Sequence, residues 1–178
     1  MNKKELYAFL EEKGIETEIT EHEAAYTVSD LDRIDLPHPE TIAKNLFLRD
    51  QKKRNYYILT VREDAEVDLK RFGKECGGGH LSFGSEDDLM SILGLRKGSV
   101  TPFGILNDTQ RVTHLWLDSA FRNGKVSVHP NENTAMVCLK TEDLERLVNY
   151  PDINDRASCF TGNDLTAETN VSSLPQRV

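Results

Sequence analysis

Cysteine is scarce in this chain: three residues in 178, Cys76, Cys138 and Cys159, widely spaced, with no CxxC pair and no histidine at a zinc-finger interval. That pattern argues against a disulfide framework and against a structural zinc site. Long apolar runs are missing too. None approaches the roughly 20 residues of a membrane span, and the charged opening MNKKELYAFLEEKG has no signal-peptide core. A cytoplasmic location without membrane attachment is the expectation. Positive charge is in deficit, with 22 Lys and Arg against 30 Asp and Glu and a formal net charge of -8. Polyanion binding rests on many Lys and Arg contacts to phosphate, so any contact with RNA must be local. The common catalytic templates are absent as well: no GxSxG elbow, no HExxH, no Walker loop and no dinucleotide-binding glycine pattern.

What is present fits one folded domain. The apolar fraction is 38% and the charged fraction 29%, ordinary for a globular protein, and the length suits a single core. Leu6, Phe9 and Leu10 share a helical face within Lys3 to Lys13, and Gly14 supplies a left-handed stop. Alternation over Ile15 to Ile19 predicts a strand. Thr27 with Asp30 three residues later predicts a short helix to about Ile34, broken by Pro37-His38-Pro39. One more turn over Glu40 to Ala43 leads to a strand from Lys44 through Arg49. The polar stretch Gln51 to Asn55 then links it to the apolar run Tyr56 to Val61 as a hairpin. Leu69 to Glu75 reads as a helix, and Gly77-Gly78-Gly79 as a loop with unusual backbone angles. Ser85 with Asp88, followed by Leu89, Met90, Ile92 and Leu93 before Gly94, is a capped helix. Short β-branched runs at Val112 to Leu117, Lys125 to Val128 and Thr134 to Leu139 predict antiparallel strands, and a last helix opens at Thr141 and runs to about Tyr150. The expected fold is α+β, a single compact domain over 1–160 with a mixed, curved β-sheet and flanking helices, followed by a mobile polar tail at 161–178.

Three places are candidates for chemistry. Lys44-Asn45 opens a strand, and its ammonium could hold a phosphate or carbonyl oxygen as readily as sit on the surface. In Gly98-Ser99-Val100-Thr101-Pro102, the glycine permits a tight loop or lets backbone N–H groups approach a ligand oxygen. His129, before Pro130-Asn131, could end a strand, hydrogen-bond a ribose hydroxyl or move a proton near neutral pH.

Taken in order, HEAAYT at 22–27, IAKNLFLRD at 42–50, YYILTV at 56–61, LSFGSEDDLMSILGLRKGSVTPFGILND at 81–108, VHPNENTA at 128–135 and TEDLERLV at 141–148 closely resemble the YbaK-like aminoacyl-tRNA editing family. The resemblance spans about residues 6 to 150 and is strongest to the stand-alone prolyl-tRNA editing proteins. It implies hydrolysis of the ester between a mischarged amino acid and the terminal adenosine of proline tRNA, most simply alanyl-tRNA(Pro), with no metal and no organic cofactor. Lys44, Asn45, Gly98 and His129 match the family's catalytic positions. Tyr26, Thr27 and the loop residues Ser99, Val100, Thr101 and Pro102 match the substrate-binding ones. The implied partner is the acceptor end of aminoacylated proline tRNA, with prolyl-tRNA synthetase a possible transient second. One departure stands out: Met136 occupies a position where the family favours a small polar residue such as threonine. It could narrow the pocket or point into the core, since strand neighbours alternate faces. Two alternatives stay open, a cysteinyl-tRNA(Pro) deacylase and a non-catalytic regulator that binds an aminoacyl ester or amino acid.

Because the ester is already activated, the protein mainly needs to position it, with Lys44 and loop N–H groups meeting the developing oxygen charge. No matched side chain is an obvious strong base, which leaves the substrate's own ribose hydroxyl as a proton relay.

Overall fold

The computed structural model describes residues 1–24 and 37–149. Tyr26, Thr27, the helix expected over Thr27 to Ile34 and the tail at 161–178 lie outside the described residues.

Helix α1 (Lys3–Glu12) starts on a capping box in which Asn2 and Glu5 satisfy each other's backbone N–H, and buries Leu6 and Leu10. Gly14 closes it at φ 64°, and the Ile15 N–H returns to the Leu10 carbonyl at 3.0 Å. Ile15 is therefore used to close the helix and buries its side chain. Strand β1 (Thr17–Glu21) starts two residues later than the alternation suggested and leaves Ile19 exposed.

A 3-10 turn at Pro39–Thr41 delivers the chain to β2 (Ala43–Asp50), which pairs antiparallel with β3 (Tyr56–Arg62), Lys44 opposite Val61 and Asn45 opposite Thr60. Asp50 organises the hairpin turn by accepting from the Arg54 N–H at 3.0 Å and from the Asn55 side chain at 2.8 Å. The unbroken apolar run of β3 has a simple cause. Tyr56 and Ile58 enter one core while Tyr57, Leu59 and Val61 enter another, so both strand faces are buried.

Helix α2 (Leu69–Glu75), β4 (Leu81–Phe83) and α3 (Glu86–Leu93) follow, and the Ser85–Asp88 capping box and Gly94 at φ 64° bound α3 as expected. A 3-10 segment, Pro102–Asn107, then precedes β5 (Thr113–Leu117). Strands β6 (Lys125–Val128) and β7 (Ala135–Lys140) and helix α4 (Thr141–Val148) complete the order.

The strands form a mixed four-stranded sheet, β4-β2-β3-β5, and an antiparallel three-stranded sheet, β1-β7-β6. Among the described residues they meet at a parallel bridge between Ile42 and Ser127. One expectation is corrected here: β5 runs parallel to β3. The chain between them passes through α2, β4 and α3 before returning, and a crossover of that length brings the next strand in along the same direction. Helices α1, α3 and α4 cover the larger core, and α2 covers the smaller one around Leu48, Tyr57, Leu59 and Phe72.

Candidate active site

The bridge and the strand registers align two rows of side chains on one face. Val126, Val128, Val137 and Leu139 pack into the larger core, so Ser127, Met136 and Cys138 belong to the opposite face. One row runs across the strands with Glu18 opposite Cys138, Cys138 opposite Ser127, and Ser127 bridged to Ile42. The next row begins with Thr20 opposite Met136. The bridge pairs Ile42, two residues before Lys44, with Ser127, two residues before His129, and Lys44 shares the face that Ile42 presents on β2. On β2 this is the face of Leu46 and Leu48, which pack in the smaller core, whereas Phe47 enters the larger one.

Lys44 is half-buried and its ammonium donates to the Ala65 carbonyl. That acceptor is neutral, so it holds the side chain without cancelling its charge. Asn45 lies on the other face of β2, where its Oδ1 accepts from the fully buried Thr60 hydroxyl at 2.7 Å. It ties β2 to β3 behind Lys44.

His129 has its Nδ1 3.0 Å from the Ala135 carbonyl. Burial lowers its proton affinity, only partly opposed by that hydrogen bond, and a neighbouring histidine, His22, lowers it further. The ring is therefore held toward its neutral form.

The Gly98 to Pro102 loop lies against the turn that follows His129. Gly98 has φ 83°, and the nearest atom to a Cβ placed there is Asn133 Nδ2 at 3.9 Å. Ser99, Asn131 and Asn133 line a cleft of about 1050 Å³ together with Met1, Arg96 and Asn107. Asn131 also donates to the Met1 carbonyl at 3.0 Å, and the N-terminal ammonium reaches Asn107 Oδ1 at 2.6 Å. Val100 packs against the larger core, while Thr101 and Pro102 are buried. In this loop it is Ser99 that faces the cleft.

Met136 resolves the choice left open by its sequence position. It is 5% exposed and shares a small cavity with Thr20, Pro37, Ile42, Ser127 and Cys138, on the Ile42–Ser127 face and away from the larger core. Cys138 is buried and burial pushes the half-buried Cys76 thiol up, so neither is set up as a nucleophile. Among the described residues no three His, Cys, Asp or Glu cluster as a metal site, and no helix is long and apolar enough to cross a membrane.

One residue given no role from the sequence, His22, stands near this site. Its ring stands 6.2 Å from that of His129. The only signal was its place at the head of the HEAAYT stretch.

The junction of the two sheets thus brings the stretch leading into Lys44 next to the stretch leading into His129. The profile of the aminoacyl-tRNA editing domain matches residues 22–147. The chain belongs to that family and is of the deacylase class. It is 42% identical over 147 residues to the prolyl-tRNA editing protein ProX of Acetoanaerobium sticklandii, covering 82% of this chain and 90% of the relative. It is 36% identical over 153 residues to the mouse (Mus musculus) prolyl-tRNA synthetase associated domain-containing protein 1, covering 79% and 88%. A crystal structure provisionally assigned as a trans-editing enzyme for prolyl tRNA synthetase shares the fold, with a TM-score of 0.68 at 18% identity over 92% of this chain and 96% of that one.

Proposed function

We propose that this protein is a trans-editing hydrolase that removes a wrongly attached small amino acid, alanine first of all, from proline tRNA. The observation that supports the reading is the bridge from Ile42 to Ser127, which joins the stretch leading into Lys44 to the stretch leading into His129, in a chain so similar to a prolyl-tRNA editing protein. Lys44 meets the oxygen charge that develops as the ester is attacked. The Ser99 N–H is given to the Arg96 carbonyl at 3.0 Å, so the loop meets the terminal nucleotide through the Ser99 side chain, and His129, tied to Ala135, offers its other ring nitrogen as an acceptor.

Selection works by size. A synthetase pocket for proline discriminates poorly against smaller alanine, and a hydrolytic pocket too small for proline rejects the correct product by clash. The buried Met136, which lines a small cavity with Thr20, Ile42 and Ser127, is the candidate for narrowing that pocket. Gripping only the acceptor end is compatible with a net charge of -8, because few phosphate contacts are needed. Such a protein works in the cytoplasm and meets prolyl-tRNA synthetase only transiently.

The test is single-turnover hydrolysis of proline tRNA charged with alanine, cysteine or proline. Alanyl-tRNA(Pro) is expected to be cleaved fastest and prolyl-tRNA(Pro) to survive. Preferred cleavage of the cysteinyl ester would reassign the specificity, and binding without cleavage of any ester would make the chain a regulator.

A further inference from the structure

His22 follows β1, and its backbone N–H donates to the Thr134 carbonyl at 3.0 Å, which fastens it to the start of β7. Its ring is tilted by 57° from that of His129, with the centroids 6.2 Å apart. The two imidazoles are anchored alike. Nδ1 of His22 is 2.7 Å from the Glu23 carbonyl, and Nδ1 of His129 is 3.0 Å from the Ala135 carbonyl. A carbonyl oxygen only accepts, so each Nδ1 carries the hydrogen and each neutral ring keeps its lone pair on Nε2. In His22 that Nε2 is buried and makes no hydrogen bond. An acceptor withdrawn from water and left without a donor costs free energy, and such a group in a native fold marks a place where a ligand or water supplies the partner.

We propose that His22 is the proton acceptor for the water that attacks the ester, an assignment that rests on the deacylase reading above. It takes the part expected of the substrate's ribose hydroxyl; His129 also keeps a lone pair on Nε2, but of the two rings it is the Nε2 of His22 that is buried without a partner. The water oxygen bonds to the ester carbon while its proton passes to Nε2 of His22, giving a tetrahedral oxyanion and an imidazolium. When the intermediate collapses, the bond from that carbon to the ribose oxygen breaks. The proton then moves from Nε2 to the ribose oxygen, the free amino acid and the tRNA depart, and the ring is neutral again. Burial disfavours the imidazolium of His129, and a charge on either ring opposes a charge on the other.

His22→Asn keeps an N–H near the position of Nδ1 and removes Nε2. Single-turnover hydrolysis of alanyl-tRNA(Pro) is expected to slow by about 10²–10⁴-fold, the span typical of general base catalysis, at an unchanged half-saturating protein concentration and melting temperature. In His22→Ala, free imidazole added to the assay is expected to restore part of the rate, and to do nothing for Lys44→Ala. Should the Asn variant melt below the assay temperature, His22→Gln carries the same expectation, since it fills similar volume without a basic nitrogen. A wild-type rate in the Asn or Gln variant overturns the assignment. A slow variant with weakened saturation and no imidazole rescue overturns it too, by making His22 a packing residue. If the wild-type protein itself cleaves no mischarged ester, the editing reading falls first, a result distinct from either of those.

Discussion

Lys44 sits where β2 leaves the bridge to Ser127, half-buried and held by the neutral Ala65 carbonyl. A lysine so placed contributes little packing, so Lys44→Ala should leave the melting temperature nearly unchanged. Its loss from a partly desolvated site is expected to slow deacylation by about 10²–10³-fold, the cost of one preorganised electrostatic contact. A rate loss matched by a collapsed melting temperature would make the residue structural. Met136 calls for the opposite balance. It is buried, so Met136→Ala should cost about 2–5 kcal/mol of stability in a denaturant titration. Opening that cavity should also weaken rejection of proline. The preference for alanyl- over prolyl-tRNA(Pro) is expected to fall by about tenfold or more, since a methylene or two in a pocket is worth roughly 1–3 kcal/mol. Unchanged selectivity would place the sieve elsewhere.

Among the elements, the Gly98 loop tests conformation separately from packing. With φ 83° and no atom nearer than 3.9 Å to an added Cβ, Gly98→Ala meets open space but a disfavoured backbone. The expected cost is about 1–2 kcal/mol, with hydrolysis reduced more than stability because the loop path shifts against the Asn131–Asn133 turn. Thermal melts beside single-turnover rates would show it. Elements bounded by local chemistry were legible in the sequence: the Ser85–Asp88 box and Gly94 mark α3 because their effects act within one turn. The ordered motifs also nominate Lys44 and His129 as site candidates. What stayed hidden depends on pairing between distant segments. The direction of β5 is set by the crossover before it, and the start of β1 by Ile15 closing α1. His22 reaches His129 only because β1 pairs with β7. No local pattern around residue 22 carries that information.

At the scale of the whole molecule, buried and hydrogen-bonded acids tie stability to pH. Burial alone would raise Asp50, but the N–H groups of Arg54 and Asn55 and the Asn55 side chain outweigh it, so its carboxyl titrates below its ordinary range. Asp88 is likewise pulled down against burial by Ser85 and Arg49. A carboxylate whose folded pKa lies below its unfolded value stabilises the fold above the unfolded value. That contribution disappears as pH falls through the folded one. His129 has the same sign for a different reason. The fold disfavours its imidazolium, so protons captured by the unfolded chain below its ordinary value of 6.5 favour unfolding. Glu145 works the other way, because burial raises its carboxyl and its contribution is lost as pH rises. Exposed pairs such as Lys125–Glu18 add little, since solvent screens them. The melting temperature should therefore decline gently below about pH 6.5 and steeply below about pH 4, where the unfolded carboxylates begin to bind protons. Asp50→Asn should lower stability at neutral pH and flatten the steep part of the profile, because the group that titrates has been removed while most of its turn remains. Melting curves of both proteins from pH 7 to pH 3 decide the matter. A wild-type profile that stays level to pH 3 would mean that the unfolded and folded chains bind protons alike, and that the hydrogen bonds at Asp50 and Asp88 do not couple folding to protonation.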